Sequence, residues 1–387
     1  MSMDEQADVV VVGLGPGGEY VAGTLAEAGL DVVGVEAELV GGECPYWACV
    51  PSKMMIRAGN LLAEAGRVPG LAGEAEVTAD WAKVSGRIRD EATHDWNDQV
   101  AVARLVAKGG RLVRGAGRLA GPGRVTVGGR TVQAGQDRLL SREEPEAGEL
   151  AAETLRADGV RVLTGVRARQ VGHDGAMFTV LLDDGAEALQ AQRLLVVTGR
   201  HADLSALAVE TVGLDPAAPA VSTDGQMRAA DALWAVGDIT GRGAFTHVSM
   251  YQAEIAVRDI LGRPGPDADY RALPRVTFTD PEIAAVGLTE QQARDRGLRV
   301  ATSVLPLASS TRGWIHGPGG EGFIKLVEDA DRGVLVGATS VGPAGGEVLY
   351  GLNVAVHAEV PVDRLRHMIY TYPTFHRAVG TALGALR

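Results

Sequence analysis

The motif Gly13-Leu14-Gly15-Pro16-Gly17-Gly18 constrains this chain more than any other stretch, because of its neighbours. An apolar run of strand length, VVVV, precedes it. A helical stretch from about Gly17 to Ala28 follows, then a second apolar run, 32–35, that ends at Glu36. Strand, glycine turn, helix, strand and acid together open a nucleotide-binding βαβ unit. Gly13 permits the tight turn. Gly15 lets the backbone approach a pyrophosphate, with Pro16 and Gly17 starting the helix that faces it. Gly18 permits close helix–strand packing. Glu36 stands where a carboxylate accepts ribose hydroxyls. The pattern alone does not separate FAD from NAD.

Both cysteines of the chain lie just downstream, in residues 41–53, GGECPYWACVPSK. Gly41 and Gly42 let the backbone pass close to a ligand. A mostly helical stretch is predicted over 46–65. Residues five apart on a helix lie ~7.5 Å apart along its axis and on different faces. A disulfide needs Cα atoms within ~7 Å. Cys44 and Cys49 can therefore bridge only if the first turn is distorted or Cys44 sits ahead of the helix. Pro51 assists, since it cannot donate to the carbonyl of Trp47. A helix N-terminus also lowers a nearby thiol pKa. The residues alone leave structural thiols, a metal half-site or a redox pair. Metal is the weakest of these, because no compact His or Cys cluster supplies further ligands.

Composition narrows the classes. The formal charge of −12 and an aromatic content of 4% argue against a nucleic-acid partner and a base-stacking surface. No run of 18 apolar residues predicts a membrane span. The acidic start, with Asp4 and Glu5, argues against export and for a cytoplasmic location. There, two cysteines are expected to be catalytic rather than stapling.

A fingerprint followed by GGxCxxxxCxPSK resembles the FAD-dependent pyridine nucleotide–disulfide oxidoreductases, which include dihydrolipoamide, glutathione, mycothione and mercuric reductases. Two later segments agree. Leu195-Val196-Val197-Thr198-Gly199-Arg200 is similar to the family's strand leading into a TGR turn. Ala235-Val236-Gly237-Asp238-Ile239-Thr240-Gly241 is similar to its second FAD motif. The resemblance implies that Gly237 and Asp238 hold the ribityl and pyrophosphate part of FAD and that Gly115 and Ala116 lie against its adenine end. It implies further that Cys49 is the flavin-proximal thiol, Cys44 the interchange thiol, and Lys53 a stabiliser of flavin or thiolate charge. His247, ahead of a helix around 251–260, is implied to line the flavin; a packed or capping histidine fits the residue equally.

The middle of the chain reads as a long helix over 79–109, with Trp81, Val84, Ile88 and Ala92 as an apolar seam and with Trp81 and Trp96 packed. Short strands follow over 111–135. At about residue 136 the resemblance is interrupted. The strand that would close the FAD domain and the second fingerprint are missing, and the chain passes directly to Arg138-Leu139-Leu140-Ser141-Arg142-Glu143-Glu144. A helix over 151–157 and strands over 160–164 and 178–182 read as the latter half of a second nucleotide module. After Gly135 no second GxGxxG stands between strand and helix, which argues against ordinary NAD(P)H docking and leaves an FAD-domain sheet edge exposed. A naturally reduced enzyme, an internal deletion and a degenerate relative all fit this gap.

The last region resembles the family's homodimerisation domain. Strands are predicted at 274–276, 284–286, 323–327 and 334–340. Helices are predicted at 289–296, with Thr289 as N-cap, and at 348–358. Many relatives end in HPTxxE, whose histidine is the acid/base and whose glutamate orients it. Here Tyr372 and Arg377 hold those positions, with His376 and His367 nearby. Tyrosine, with a reference pKa near 10, donates a proton but is a poor base at neutral pH. This disfavours a lipoamide-type dithiol substrate. No cysteine follows Cys49, which disfavours mercuric reduction.

The expected fold is α/β. A Rossmann-like FAD-binding domain spans 1–136 and 194–269, a truncated second nucleotide-binding-like domain 137–193, and an α+β dimerisation domain 270–387. The expected function is an FAD-dependent dithiol–disulfide oxidoreductase acting through Cys44, Cys49 and Tyr372 on a small disulfide, with NAD(P)H as the family's donor and no metal. A flavoprotein with altered or lost reductase activity fed by another donor, and a non-catalytic dimeric scaffold, are the alternatives.

Overall fold

A computed structural model describes residues 6–119, 125–127, 139–166, 168–182, 188–195 and 202–387. The chain divides into two compact units. The first comprises Met1–Ala58, Ala79–Gln133 and Gly199–Asp269; the second comprises Gly59–Thr78, Ala134–Thr198 and Tyr270–Arg387. The residues around the interruption near 136, and most of the 195–200 motif, lie outside the described residues.

In the first unit, strands β1 (Val9–Val12), β2 (Val32–Glu36) and β3 (Arg111–Arg114) form a parallel sheet in the order β1-β2-β3. Val9 pairs with Val32 and Val33 with Arg111. β2 is buried at every residue, as a central parallel strand should be. β1 is an edge among the described residues, and Val10 and Val12 are exposed on one face of it. Helix α1 (Pro16–Glu27) covers the sheet and packs on a second helix, Thr246–Ile260. Leu14, Val21, Leu25, Val32, Leu105 and Val257 share the resulting core.

The predicted helix over 79–109 is broken. A short helix, Trp81–Arg87, runs into a wider π turn, and a separate helix spans Gln99–Ala107. Between them His94, Asp95 and Trp96 all take positive φ, 47°, 58° and 55°. The break turns the chain so that Asp98 accepts the buried amide of Val40 at 2.7 Å. Trp81 is 62% exposed, contrary to the packed reading. Trp96 is half exposed, although its indole N–H donates to the carbonyl of Tyr46 at 3.0 Å.

The second unit contains an antiparallel sheet in the order Pro274–Thr277, Glu282–Gly287, Val334–Gly342, Phe323–Asp329, Val300–Pro306. Its period of two sorts the faces. Ala284, Val286, Ile324 and Leu326 pack with helices Gly345–His357 and Phe375–Gly384. The alternate residues Ile283, Phe323 and Val341 pack with Ala147 of helix Pro145–Ala157. That helix is also anchored electrostatically. Lys325, 4% exposed, pairs with Glu144 at 3.1 Å, Glu146 at 2.7 Å and Glu290 at 3.1 Å. Glu143 takes a two-pronged contact from Arg275 at 2.8 and 2.9 Å. Thr289 caps its helix as predicted, in a full capping box with Gln292.

The predicted strand over 160–164 is not a strand. Its sequence is apolar enough, but a strand requires a ladder partner, and among the described residues none runs beside it. The strand at Phe178–Leu182 does form, between Ala168–His173 and Leu189–Ala191. Among the described residues no helix is long and apolar enough to cross a membrane.

Candidate active site

The glycine loop has the conformation its sequence requires. Gly13 takes φ +85°. A Cβ on Gly18 would stand 1.9 Å from the Gly13 carbonyl oxygen, and one on Gly17 would stand 2.2 Å from Ser249 Oγ. A Cβ on Gly13 or Gly15 would meet nothing within 4 Å. Two glycines thus serve packing and two face open space. Gly15 caps α1 without a side-chain hydrogen bond, and Pro16 occupies its first turn. Backbone amides at a helix N-terminus, beside a space that a side chain would fill, fit a pyrophosphate.

Glu36 is 9% exposed and ties this loop together. Its Oε2 accepts the Leu14 amide at 2.6 Å, and its Oε1 accepts the Glu38 amide at 2.9 Å. Each oxygen retains acceptor capacity for a ribose hydroxyl. The Gly115 amide donates to the Glu36 carbonyl at 2.8 Å, which places Gly115 and Ala116 at the same strand end. Gly42, at φ +67°, lies against the fingerprint: a Cβ there would come 2.8 Å from the Gly15 Cα. Gly237 also has positive φ, +85°, and its amide donates to Gln252 Oε1 at 2.7 Å. Asp238 opens the short turn that follows, ahead of helix Thr246–Ile260. Gly13, Gly15, Pro16, Gly17, Gly18, Glu36, Gly42, Gly115, Ala116, Gly237 and Asp238 all belong to the first unit. Together they fit a dinucleotide such as FAD.

The thiols also lie in this unit. Cys44 sits in a one-turn helix, α2 (Glu43–Tyr46), and Cys49 is the first residue of α3 (Cys49–Arg67). Trp47 and Ala48 interrupt the helix between them, so Cys44 stands ahead of α3, as a close thiol pair requires. Both are free thiols in the structure. Cys49 Sγ lies 3.4 Å from Thr246 Oγ1, at the start of helix Thr246–Ile260. A cavity of about 310 Å³ is lined by Pro16, Gly41, Cys44, Tyr46 and Thr246, among others.

The two thiols differ electrostatically. Burial pushes the Cys44 thiol up, and the hydrogen bond with Thr246 offsets this only in part. Burial also acts against Cys49, but hydrogen bonds with Thr246 and Cys44 and the charge of Lys53 outweigh it and hold Cys49 below the ordinary thiol value. Lys53 lies one turn along α3 and donates to Ser52 Oγ at 3.3 Å. His247, exposed on the first turn of its helix, stacks on Phe245 with ring centroids 5.1 Å apart. Tyr372 belongs to the second unit, where it is 66% exposed and donates to Thr311 Oγ1 at 3.3 Å. His367 Nδ1 lies 2.6 Å from the Asp363 carbonyl oxygen, and His376 and Arg377 are exposed on the first turn of helix Phe375–Gly384.

Sequence reasoning missed Thr246 and Gln252. Gln252 is fully buried and bridges the Gly237 amide to Thr240 Oγ1, the latter at 2.9 Å. The signal available for Gln252 was the helix that follows the Gly237-Asp238 motif, whose inward face points back at that motif; Thr246 faces Cys49 instead.

The family profile described as pyridine nucleotide-disulphide oxidoreductase matches residues 7–136 and again 125–253, and the profile of its dimerisation domain matches 273–383. The dihydrolipoyl dehydrogenase of Halobacterium salinarum is 28% identical over 457 aligned residues, covering 96% of this chain and 94% of the relative. The mercuric reductase of Staphylococcus aureus is 28% identical over 454, covering 99% of this chain and 82% of the relative. Both alignments are longer than the 387-residue chain, so these relatives carry residues without a counterpart here. Among solved structures, LpdA from Mycobacterium tuberculosis has a TM-score of 0.82 at 22% identity, covering 97% of this chain and 98% of that one. The Cu(II) complex of the HOCl-induced flavoprotein disulfide reductase RclA from Escherichia coli has a TM-score of 0.81 at 20% identity, covering 99% and 100%. These two structures share the fold.

Proposed function

The chain belongs to the pyridine nucleotide-disulphide oxidoreductases, and on that premise we propose that it is an FAD-dependent reductase of a small disulfide, working through Cys44 and Cys49. The observation that carries the reading is the geometry of the pair: Cys49 heads a 19-residue helix, Cys44 stands ahead of it in a separate turn, and both lie in the unit that holds the glycine loop. Bound FAD, once reduced by a nicotinamide donor, would supply the electron pair that opens a Cys44–Cys49 disulfide. Cys44, once deprotonated, attacks one sulfur of the substrate, forms a mixed disulfide and expels the other half as a thiolate. The Cys49 thiolate then attacks Cys44 Sγ, releases the second half and restores the internal disulfide. Lys53 offsets thiolate charge. In the proposed homodimer, Tyr372 of the partner subunit is assigned as proton donor to the departing thiolate, a role its high intrinsic pKa permits, unlike that of general base.

The reading includes a homodimer through residues 270–387, a cytoplasmic location, and a second nucleotide module shortened to 137–193. The overlapping double match of one profile and alignments longer than the chain support the shortening. A second reading, a flavoprotein fed by another donor, is favoured by the absence of a second fingerprint from the sequence and by Tyr372 and Arg377 in place of histidine and glutamate.

Anaerobic addition of NADH or NADPH to the purified yellow protein separates the two. Bleaching of the flavin absorbance by either supports nicotinamide dependence. Bleaching only by another reductant leaves the second reading. In the nicotinamide case, C44S is expected to retain flavin reduction and lose disulfide turnover; turnover by C44S would sink the thiol roles.

A further inference from the structure

One hydroxyl stands against one of the two thiols. Cys49 Sγ lies 3.4 Å from Thr246 Oγ1, and Cys44 lines the same cavity as Thr246. We infer that Thr246 is a positioning residue: its hydroxyl donates to the Cys49 sulfur and so fixes Cys49, rather than Cys44, as the thiolate of the reduced pair.

The inference rests on the assignment of Cys44 and Cys49 as the redox pair. It goes beyond that assignment by naming what decides which sulfur carries the charge. A threonine hydroxyl has one proton to donate and two lone pairs to accept with. A thiolate only accepts, a thiol donates weakly. With the negative charge on Cys49, the Thr246 O–H donates to Cys49 Sγ.

The mirror arrangement, with charge on Cys44, lacks the other support for Cys49. Cys49 is the first residue of α3, where the helix dipole favours a negative charge, and Cys44 lies in a helix of a single turn. The charged and titratable groups that face Cys49 are Cys44 from α2, Lys53 from α3 and, from helix Thr246–Ile260, Thr246 with His247 beside it. Lys53 acts on both sulfurs by charge alone. Thr246 is the directional element.

The test reads each thiol separately. The reduced full-length protein is alkylated with iodoacetamide across a pH series, and peptide mass spectrometry follows Cys44 and Cys49. In the wild type Cys49 is expected to react at lower pH than Cys44. T246V is expected to move the Cys49 profile up by about one to two pH units, since a hydrogen bond to a charged group is lost, and T246S is expected to restore it. T246A serves should T246V fail to fold, judged by circular dichroism and melting. A Cys49 profile unchanged in the hydroxyl-free variant, or a wild type in which Cys44 ionises first, overturns the inference. Because alkylation needs no substrate, a shifted profile in a protein without disulfide turnover keeps this inference and rejects the proposed function instead.

Discussion

Gly18 stands so close beneath Gly13 that a single added carbon, 1.9 Å from the Gly13 carbonyl oxygen, has no room. Gly15, three residues earlier in the same motif, faces open space. The two positions separate folding from binding. G18A is expected to cost about 1–3 kcal/mol, as an overpacked site does, and to lower the melting temperature and flavin content together. G15A is expected to cost at most ~1 kcal/mol, since it changes a helix cap, yet to lose flavin at least about tenfold, because its methyl stands where a phosphate approaches. Flavin absorbance per chain and thermal melting check both. Full flavin occupancy in G15A would count against a pyrophosphate at this loop.

The second cofactor motif depends on a side chain that reaches no solvent. Gln252 holds the Gly237 amide at 2.7 Å and donates to Thr240 at 2.9 Å. Q252L leaves the amide and hydroxyl without these partners, at a cost of about 1–3 kcal/mol. Urea denaturation is expected to show that loss, with flavin released at lower urea than in the wild type. A wild-type denaturation midpoint would mean that other groups hold the turn.

Lys325 neutralises the buried Glu144 and two further carboxylates. K325M leaves that buried charge alone and is expected to destabilise the second unit by about 3–5 kcal/mol. Pairing also sets a pH dependence. Burial lowers the Lys325 pKa, but the surrounding glutamates outweigh it, so the net shift is upward. Its contribution is complete below the ordinary lysine value of about 10.4 and is lost as pH rises through the higher folded value. Glu290 is held down, chiefly by Arg294 and then by Lys325. Its contribution is present above about pH 4.3 and is lost as pH falls through its lower folded value. Melting temperature against pH is expected to be flatter in K325M above about pH 10, where the wild type loses the lysine contribution.

The second unit exposes Ile369 at 99%, Trp314 at 77% and Tyr350 at 71%. Large apolar side chains this open are costly in water and are expected to be covered in the proposed homodimer. Sedimentation is expected to give a dimer for the wild type and a concentration-dependent mixture for the I369E/W314E variant. An unchanged dimer would place the interface elsewhere.

Local rules served the reading where the chain's own neighbours decide structure. The fingerprint turn, Cys44 ahead of its helix and the Thr289 cap follow from glycine geometry, disulfide reach and helix caps. The failures were tertiary. Thr93 to Asp98 carries turn-forming residues, but the apolar positions on each side read as one helix until Asp98 was found on the Val40 amide. Residues 160–164 have strand chemistry and, among the described residues, no strand beside them. Thr246 lies 197 residues from Cys49, and no spacing rule joins a hydroxyl to a thiol across that distance.

The packing of Gly17 of α1 against Ser249 has a consequence for synthesis. The ribosome releases the fingerprint early and the helix that seats it more than two hundred residues later. At ordinary elongation rates of about 5–20 residues per second, the nascent chain waits roughly ten seconds to most of a minute before that helix emerges. Over that interval β1 and α1 present uncovered apolar surface, and the residues between them and their partner include the strands Ala168–His173, Phe178–Leu182 and Leu189–Ala191 of the second unit. Translation speed across residues 60–245 is therefore expected to govern the yield of this protein, with slower elongation lengthening the period in which chaperones must hold its first hundred residues.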